Sequence, residues 1–466
     1  MKEFKGIQKK EEEMGITKPY SSIEEWKEVL EKFKKGEPAE IYQRYGYADL
    51  EKREEKIAEL IGMEKGEVAL YNSGMAAITD SFESQNLTKG DVILYSPDIY
   101  GQSREYIEKD LKQKGIRAIP IESGNIENVE KAIDEYKPKV VFMETVGNAP
   151  ELPVADIDRL IVKVEKTNKK YQEEHSFSRQ LEKILSRKPW FSDSLLAKFE
   201  EAGNKISKEH SYMPLRSLAR EITKVGPEIF PDSRTILLEL KSIIDTACLA
   251  KREKPMTLIL DNTIPTSTNL KLAKKLEKTD APIVVVESGT KFYAHDVGTL
   301  GIVYSKDKEK ILELKLRRAI AGTYLPAAVE KLLPEWSKEE FEVRNKQILK
   351  NTKFLAETMA KLRGKIGIEA VSHPNLPDHP NYKYASENMP DGAAAIFYLK
   401  CKDSLETADK LKKVLGDKVE IGGSFGFDKT RLLPLFDGIL RIAGGSEKPE
   451  DLEKILETIE KLGKEK

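Results

Sequence analysis

Two apolar runs in this chain end in side chains that could do chemistry. Val284-Val-Val-Glu-Ser-Gly-Thr-Lys291 sets a lysine directly past a strand-like run, with the hydroxyls of Ser288 and Thr290 beside it. A lysine held in a partly dry site has a depressed pKa, and its free amine can form a Schiff base with a carbonyl carbon. The competing reading is a solvated surface lysine, one of 61 in the chain, and the strand position argues against it. The second run, Leu258-Ile-Leu-Asp261-Asn-Thr, ends in a carboxylate. An Asp after a strand commonly caps the next helix, and taken alone Asp261 reads as such a cap.

Read together, the two residues fit a third option. A carboxylate and a lysine at the ends of nearby parallel strands suit pyridoxal phosphate, with Asp261 on the pyridinium nitrogen and Lys291 on the aldehyde carbon. The phosphate then needs a cradle. Tyr71-Asn-Ser73-Gly74-Met75-Ala-Ala-Ile ends one strand and opens a helix, whose free N–H groups and dipole suit an anion. Gly74 alone is equally explained by the turn. Tyr100, in Pro97-Asp-Ile-Tyr100-Gly-Gln-Ser, offers a flat ring against the cofactor, although a tyrosine is more often a packing residue.

Such side chains need a scaffold. From residue 67 onward, short β-rich runs end in Gly, Ser or Asp and alternate with helical stretches. The runs are Glu67–Tyr71, Asp91–Tyr95, Arg117–Ile121, Lys139–Glu144, Thr257–Leu260, Ile283–Glu287 and Leu300–Tyr304. This rhythm predicts an α/β fold with a mainly parallel sheet covered on both faces, its ligands beyond the carboxyl ends of the strands. Residues 1–50 read as a polar arm and 51–325 as the large domain. Within the latter, a Lys/Glu-rich helical insertion at about 164–242 carries His175, His210, Trp190, Phe191, Leu195, Leu196 and Phe199. It is expected to be a surface excursion. Residues 326–466 read as a smaller α+β domain closed by an amphipathic helix, Pro449–Leu462, that stops at Gly463.

Composition narrows the function classes. Lys+Arg 78 against Asp+Glu 79 leaves a net charge of −1, with no bulk attraction for nucleic acid or an anionic membrane. Two cysteines, Cys248 and Cys401, and five scattered histidines suggest neither a disulfide framework nor a metal site. No apolar run reaches membrane-spanning length and the start lacks a signal-peptide core, so a cytoplasmic protein is expected.

Seven short segments occur in one order: Tyr42-Gln-Arg44-Tyr-Gly46, Asn72-Ser-Gly-Met-Ala-Ala-Ile78, Tyr100-Gly101, Glu144-Thr-Val-Gly-Asn148, Asp261-Asn-Thr263, Ser288-Gly-Thr-Lys291 and Leu440-Arg441-Ile. In this order they resemble the Cys/Met-metabolism family of pyridoxal-phosphate enzymes, which includes cystathionine γ-synthases, cystathionine lyases, methionine γ-lyases and homoserine sulfhydrylases. The resemblance covers nearly the whole chain apart from the arm and the insertion. It implies a type I aminotransferase-like fold, Lys291 as the Schiff-base lysine and Asp261 as the ring-nitrogen partner. Tyr100 would stack on the ring, while Gly74, Met75, Ser288 and Thr290 would hold the phosphate. Tyr42 and Arg44 would complete the phosphate site of a neighbouring subunit in a homodimer or homotetramer. Asn148 and Arg441 would receive an amino-acid substrate, Arg441 by a two-pronged contact with its carboxylate.

The implied activity is elimination or replacement at the β or γ carbon of a sulfur amino acid or homoserine derivative. Transamination, cysteine desulfuration and a non-catalytic regulatory role are the alternatives. Three departures bear on the substrate. Tyr47-Ala48-Asp49 stands where the family commonly has Asn-Pro-Thr. Gln102 replaces the cysteine of methionine γ-lyases. Glu420-Ile-Gly-Gly423 replaces Ser-Leu-Gly-Gly, whose serine lies near the substrate carboxylate in the family, so either this loop is shifted or the substrate differs.

Overall fold

A computed structural model describes residues 17, 20–34, 41–174, 242 and 255–464. The chain forms two compact units, Met1–Val162 with Thr257–Lys466, and Lys163–Met256. In the first, all seven strand-like runs become strands of one sheet: β1 Val68–Tyr71, β2 Val92–Tyr95, β3 Arg117–Pro120, β4 Val140–Glu144, β5 Thr257–Asp261, β6 Ile283–Ser288 and β7 Gly301–Tyr304. Their spatial order is β1-β7-β6-β5-β4-β2-β3. Only β7 runs against the rest, pairing antiparallel with both β1 and β6.

The three central strands have no polar alternation. Val140–Glu144 and Thr257–Asp261 are buried at every position, as a sheet covered on both faces requires. On one face the helix Gly74–Glu83 sends Ala77, Ile78 and Phe82 into a core with Phe142, Ile259 and Val286. Such fully buried side chains contribute about 1.5–3 kcal/mol each relative to exposure. The uninterrupted strands therefore bring several chain segments to one edge, where β4, β5 and β6 stop almost level: Glu144 lies opposite Asp261, and Asp261 opposite Val286.

A second sheet of five strands follows, in the order β10-β11-β12-β9-β8. These are β8 Ile368–Ser372, β9 Ile396–Cys401, β10 Val419–Ile421, β11 Thr430–Pro434 and β12 Ile439–Ala443. Helices Lys338–Ala360, Ser404–Leu415 and Pro449–Leu462 cover it through Leu355, Met359, Leu411, Ile455 and Ile459. The last helix has Pro449 in its first turn and Gly463 at its end, the bounds read from the sequence.

In the second unit, the helix begun at Ile157 continues to Glu174. Asn168 clasps the far end of that unit: its Nδ2 donates to the Met256 carbonyl (2.8 Å) and its Oδ1 accepts from the Met256 N–H (2.9 Å). His175, His210, Trp190, Phe191, Leu195, Leu196 and Phe199 lie outside the described residues, as does Cys248. Among the described residues, no helix is long and apolar enough to cross a membrane. No group of three metal-ligating side chains occurs among them either.

Candidate active site

At the carboxyl edge of the large sheet lies a cavity of about 400 Å³. Gly74, Met75, Tyr100, Asn148, Asp261, Ser288, Thr290, Lys291 and Arg441 all line it, drawn from five segments at the strand ends of the large sheet and one strand of the second sheet. Tyr42 and Arg44 are not among its walls.

The cradle is built at the helix start. Ser73 caps that helix, its hydroxyl accepting from the Ala76 N–H at 3.1 Å. The N–H groups of Gly74 and Met75 precede the first intrahelical bond and have no acceptor among the described residues. A Cβ on Gly74 would sit 3.0 Å from the Ser288 Cβ, so glycine lets the helix start close onto β6. The Thr290 hydroxyl is tied to Leu300, accepting from its N–H at 3.0 Å.

Lys291 sits in the short helix Gly289–Phe292 that follows β6. Its Nζ donates to Ser424 Oγ at 2.8 Å and lies 5.6 Å from the centre of the Phe425 ring. Burial holds its amine below the ordinary lysine range, and the Arg441 guanidinium adds to that. Asp261, 7% exposed, is pushed up to about 6 by burial, against two opposing bonds from Thr263. Both bonds, from the Thr263 N–H (2.9 Å) and hydroxyl (2.5 Å), fall on Oδ1. No helix starts at this point, the next being Leu272–Leu276, so Asp261 holds a turn and is no helix cap. Glu144 stands beside it and is raised well above the carboxylate range, by burial and then by the Asp261 charge.

Across the cavity, Arg441 on β12 is held by the second sheet. Its Nη2 reaches the Ser424 carbonyl at 3.5 Å, and its cross-strand neighbour Tyr398 donates to Asn148 Oδ1 at 3.3 Å. The loop between β10 and β11 presses on the lysine from the same side. Gly426, at φ +88°, runs so close to Lys291 that a Cβ there would meet its carbonyl oxygen at 2.7 Å.

Ser424 was not singled out by sequence reasoning, and Glu144 was quoted only as the start of a segment, without a role. Ser424 carries a signal only in the structure, a left-handed φ of 64° in a non-glycine residue. Glu144 had a sequence signal, since it ends an apolar strand as Asp261 does.

For Glu420 the geometry is that of the shifted loop. Its side chain does not line the cavity; it lies opposite Arg431 on the neighbouring strand, and Arg431 Nε donates to its Oε2 at 3.1 Å. The residue of this loop that enters the cavity is Ser424, four positions later. Tyr42 and Arg44 stack on each other and on Tyr45, with the guanidinium 5.4 Å and 5.3 Å from the two ring centres. A larger cavity of about 800 Å³, lined by Asp98, Glu151, His379 and Tyr398, contains neither Lys291 nor Asp261.

Known proteins match this chain. A profile of the family described as Cys/Met metabolism PLP-dependent enzyme matches residues 8–171 and 214–427, well over half the chain, and stops short of Arg441. The homocysteine/cysteine synthase of Saccharomyces cerevisiae is 34% identical over 125 residues, 27% of this chain and 27% of that protein. The cystathionine gamma-lyase of Bacillus subtilis is 34% identical over 96 residues, 20% of this chain and 24% of that one. The chain thus spans about a quarter of the length of these relatives. Solved structures extend the likeness of fold. A putative O-acetylhomoserine (thiol)-lyase of Campylobacter jejuni, carrying a pyridoxyl-lysine monophosphate, superposes with a TM-score of 0.60 at 17% identity, covering 95% of this chain and 93% of that one. For metB from Corynebacterium glutamicum the values are 0.57, 18%, 90% and 86%. A family profile that runs through both lobes of the sequence, on a fold shared over nearly its full length, settles the kinship: the chain belongs to the Cys/Met-metabolism family of pyridoxal-phosphate-dependent enzymes.

Proposed function

We propose that this protein catalyses elimination or replacement at the β or γ carbon of a sulfur amino acid or homoserine derivative. The observation that carries the reading is a single cavity holding a half-buried lysine, a buried carboxylate, an open helix start and an arginine. These groups fit pyridoxal phosphate. Its phosphate would take the unbonded N–H groups of Gly74 and Met75 and the hydroxyls of Ser288 and Thr290. Its ring nitrogen would meet Asp261, whose bonds from Thr263 fall on one oxygen and leave the other for a ligand. Tyr100 would cover the ring, and Lys291 would hold the aldehyde carbon.

Bound there, pyridoxal phosphate supplies an electron sink for charge left on the substrate's α carbon. The chain's own residues do the rest. Arg441 grips the substrate carboxylate and turns the α hydrogen towards Lys291, with Asn148 fixed beside it by Tyr398. Lys291, its amine depressed by burial, takes the α proton as general base. Tyr100 or Lys291 then delivers a proton to the departing group.

The same reading divides the chain into an arm (1–50), a cofactor domain (51–325) and a C-terminal domain (326–466). It also assigns Tyr42 and Arg44 to the phosphate site of a second subunit. Co-expressing Lys291→Ala and Arg44→Ala chains tests that assignment. Partial activity in the heterodimer is expected, and none in a proven heterodimer means that Arg44 serves its own chain. The reaction is tested by incubating the purified protein with cystathionine, cysteine, methionine and O-acylhomoserine and measuring ketoacid, ammonia and sulfide. Ketoacid with ammonia or a new thioether supports the proposal. Amino-group transfer without ammonia, or sulfur removal leaving alanine, overturns it.

A further inference from the structure

Glu144 ends β4 directly opposite Asp261 on β5, and both side chains line the cavity. Glu144 is 4% exposed and Asp261 7%. Neither makes an ion pair among the described residues, although Lys291 and Arg441 share the same cavity. Two adjacent buried carboxylates without a cation cannot both ionise readily, because each charge raises the energy of the other. Glu144 has a second attachment: its Oε1 accepts the Tyr100 N–H at 2.6 Å, across from strand to loop. That bond fixes the backbone from which the Tyr100 ring enters the cavity.

We propose that Glu144 is a positioning residue of the ring site, carrying one proton for the Glu144–Asp261 pair and pinning Tyr100 through its backbone N–H. The inference rests on the reading of Asp261 as the ring-nitrogen partner. As a neutral acid, Glu144 keeps the pair at one negative charge, matched to one pyridinium proton. As an acceptor it costs no charge to hold Tyr100. The other groups that face it are Asp98, whose charge raises it further, and Tyr398 beside Arg441. Burial and the Asp261 charge outweigh the opposing bonds from the Tyr100 and Asn148 N–H groups and lift Glu144 well above the ordinary carboxylate range, in agreement with a retained proton.

The test reads the non-covalent hold on pyridoxal phosphate across pH, in full-length chains that all carry Lys291→Ala. In wild-type context, affinity should rise as pH climbs through about 6, where Asp261 ionises. Glu144→Gln mimics the neutral acid and keeps an acceptor, so affinity above that midpoint should stay within about threefold of its parent. Its midpoint should stay near about 6, because one neutral neighbour of Asp261 has replaced another. Glu144→Ala strands the Tyr100 N–H and should weaken binding by about tenfold. If Gln is as weak as Ala, the charge and not the proton is required, and the proposal is overturned. It is overturned equally if Ala binds like the parent. Should Ala fail to fold, the Gln midpoint decides alone, and one that falls by a unit or more refutes the retained proton, because only an ionised Glu144 would have been holding Asp261 up. Asp261→Asn serves as the control for the underlying reading: undiminished affinity there would dismiss Asp261 as the ring partner, whatever Glu144 does.

Discussion

Two buried carboxylate sites in the same unit have opposite chemistry. Under β1, Glu54 is 4% exposed and accepts from Arg318 Nη1 (2.6 Å), Lys315 Nζ (2.6 Å) and the Leu70 N–H (3.1 Å). Burial pushes it up, but Arg318 and Lys315 outweigh that and leave it below the usual carboxylate range. At the cavity, Glu144 and Asp261 are as deeply buried and both move upward. A carboxylate buried for the fold arrives with its cations. One buried for a ligand waits for a cation that the ligand brings. Glu287, one residue before Ser288, lies between these cases. It accepts from Asn262, Ser267, Tyr293 and Tyr304, all neutral, and burial still pushes it up to about 7.

The largest expected effect falls on the cavity side. Lys291→Ala should abolish turnover and covalent attachment of the cofactor, read by mass spectrometry after borohydride reduction, while thermal unfolding stays nearly unchanged. Removing a half-buried amine that forms no ion pair leaves no opposite charge stranded. A covalently bound cofactor in that variant would refute the role of Lys291.

Glu54→Ala should act in reverse. Breaking a buried pair leaves Arg318 uncompensated, and unfolding should become easier by about 3–5 kcal/mol in denaturant titrations. Asp261→Asn should be opposite to Glu54→Ala in sign. The folded chain favours protonated Asp261 and the unfolded chain does not, so wild-type stability falls as pH rises from about 4 to 6. Asn removes that fall, and the cofactor-free protein should gain about 1–3 kcal/mol at neutral pH. A loss of stability there would erase the distinction between the two sites.

The sequence shows these two sites unequally. Lys291, Asp261 and Gly74 were legible because each follows an uninterrupted apolar strand, and a parallel sheet collects strand ends at one edge whatever the loops do. The central strands were legible because burial on both faces leaves a continuous apolar signature, and the final helix because its buried stripe of Leu452, Ile455 and Ile459 repeats at helical spacing. Ser424 was not legible. It reaches Lys291 from 133 positions away, through a loop whose register depends on a left-handed turn that periodicity does not encode. The ion pairs of Glu54 were hidden too, because a charged residue on an amphipathic helix looks solvated until its neighbours are known.

Glu420 marks the small end of the comparison, a carboxylate neither deeply buried nor facing the ligand. Its side chain is 42% exposed and pairs with Arg431, whose guanidinium also lies flat on Phe427 at 3.4 Å and donates to the Gly423 carbonyl at 3.2 Å. Arg431 therefore keeps two contacts when the carboxylate goes. Exposed pairs of this kind contribute about 0–1 kcal/mol, so Glu420→Ala should change unfolding by no more than about 0.5 kcal/mol. Arg441 and Ser424, which do line the cavity, keep their positions on β12 and its neighbouring loop. The Michaelis constant for the substrate should accordingly stay within about twofold, since a charge outside the cavity and paired with Arg431 exerts little field on a carboxylate at Arg441. A marked fall in that constant, steepest at low salt, would mean that Glu420 repels the substrate after all and that the loop closes differently in the working enzyme.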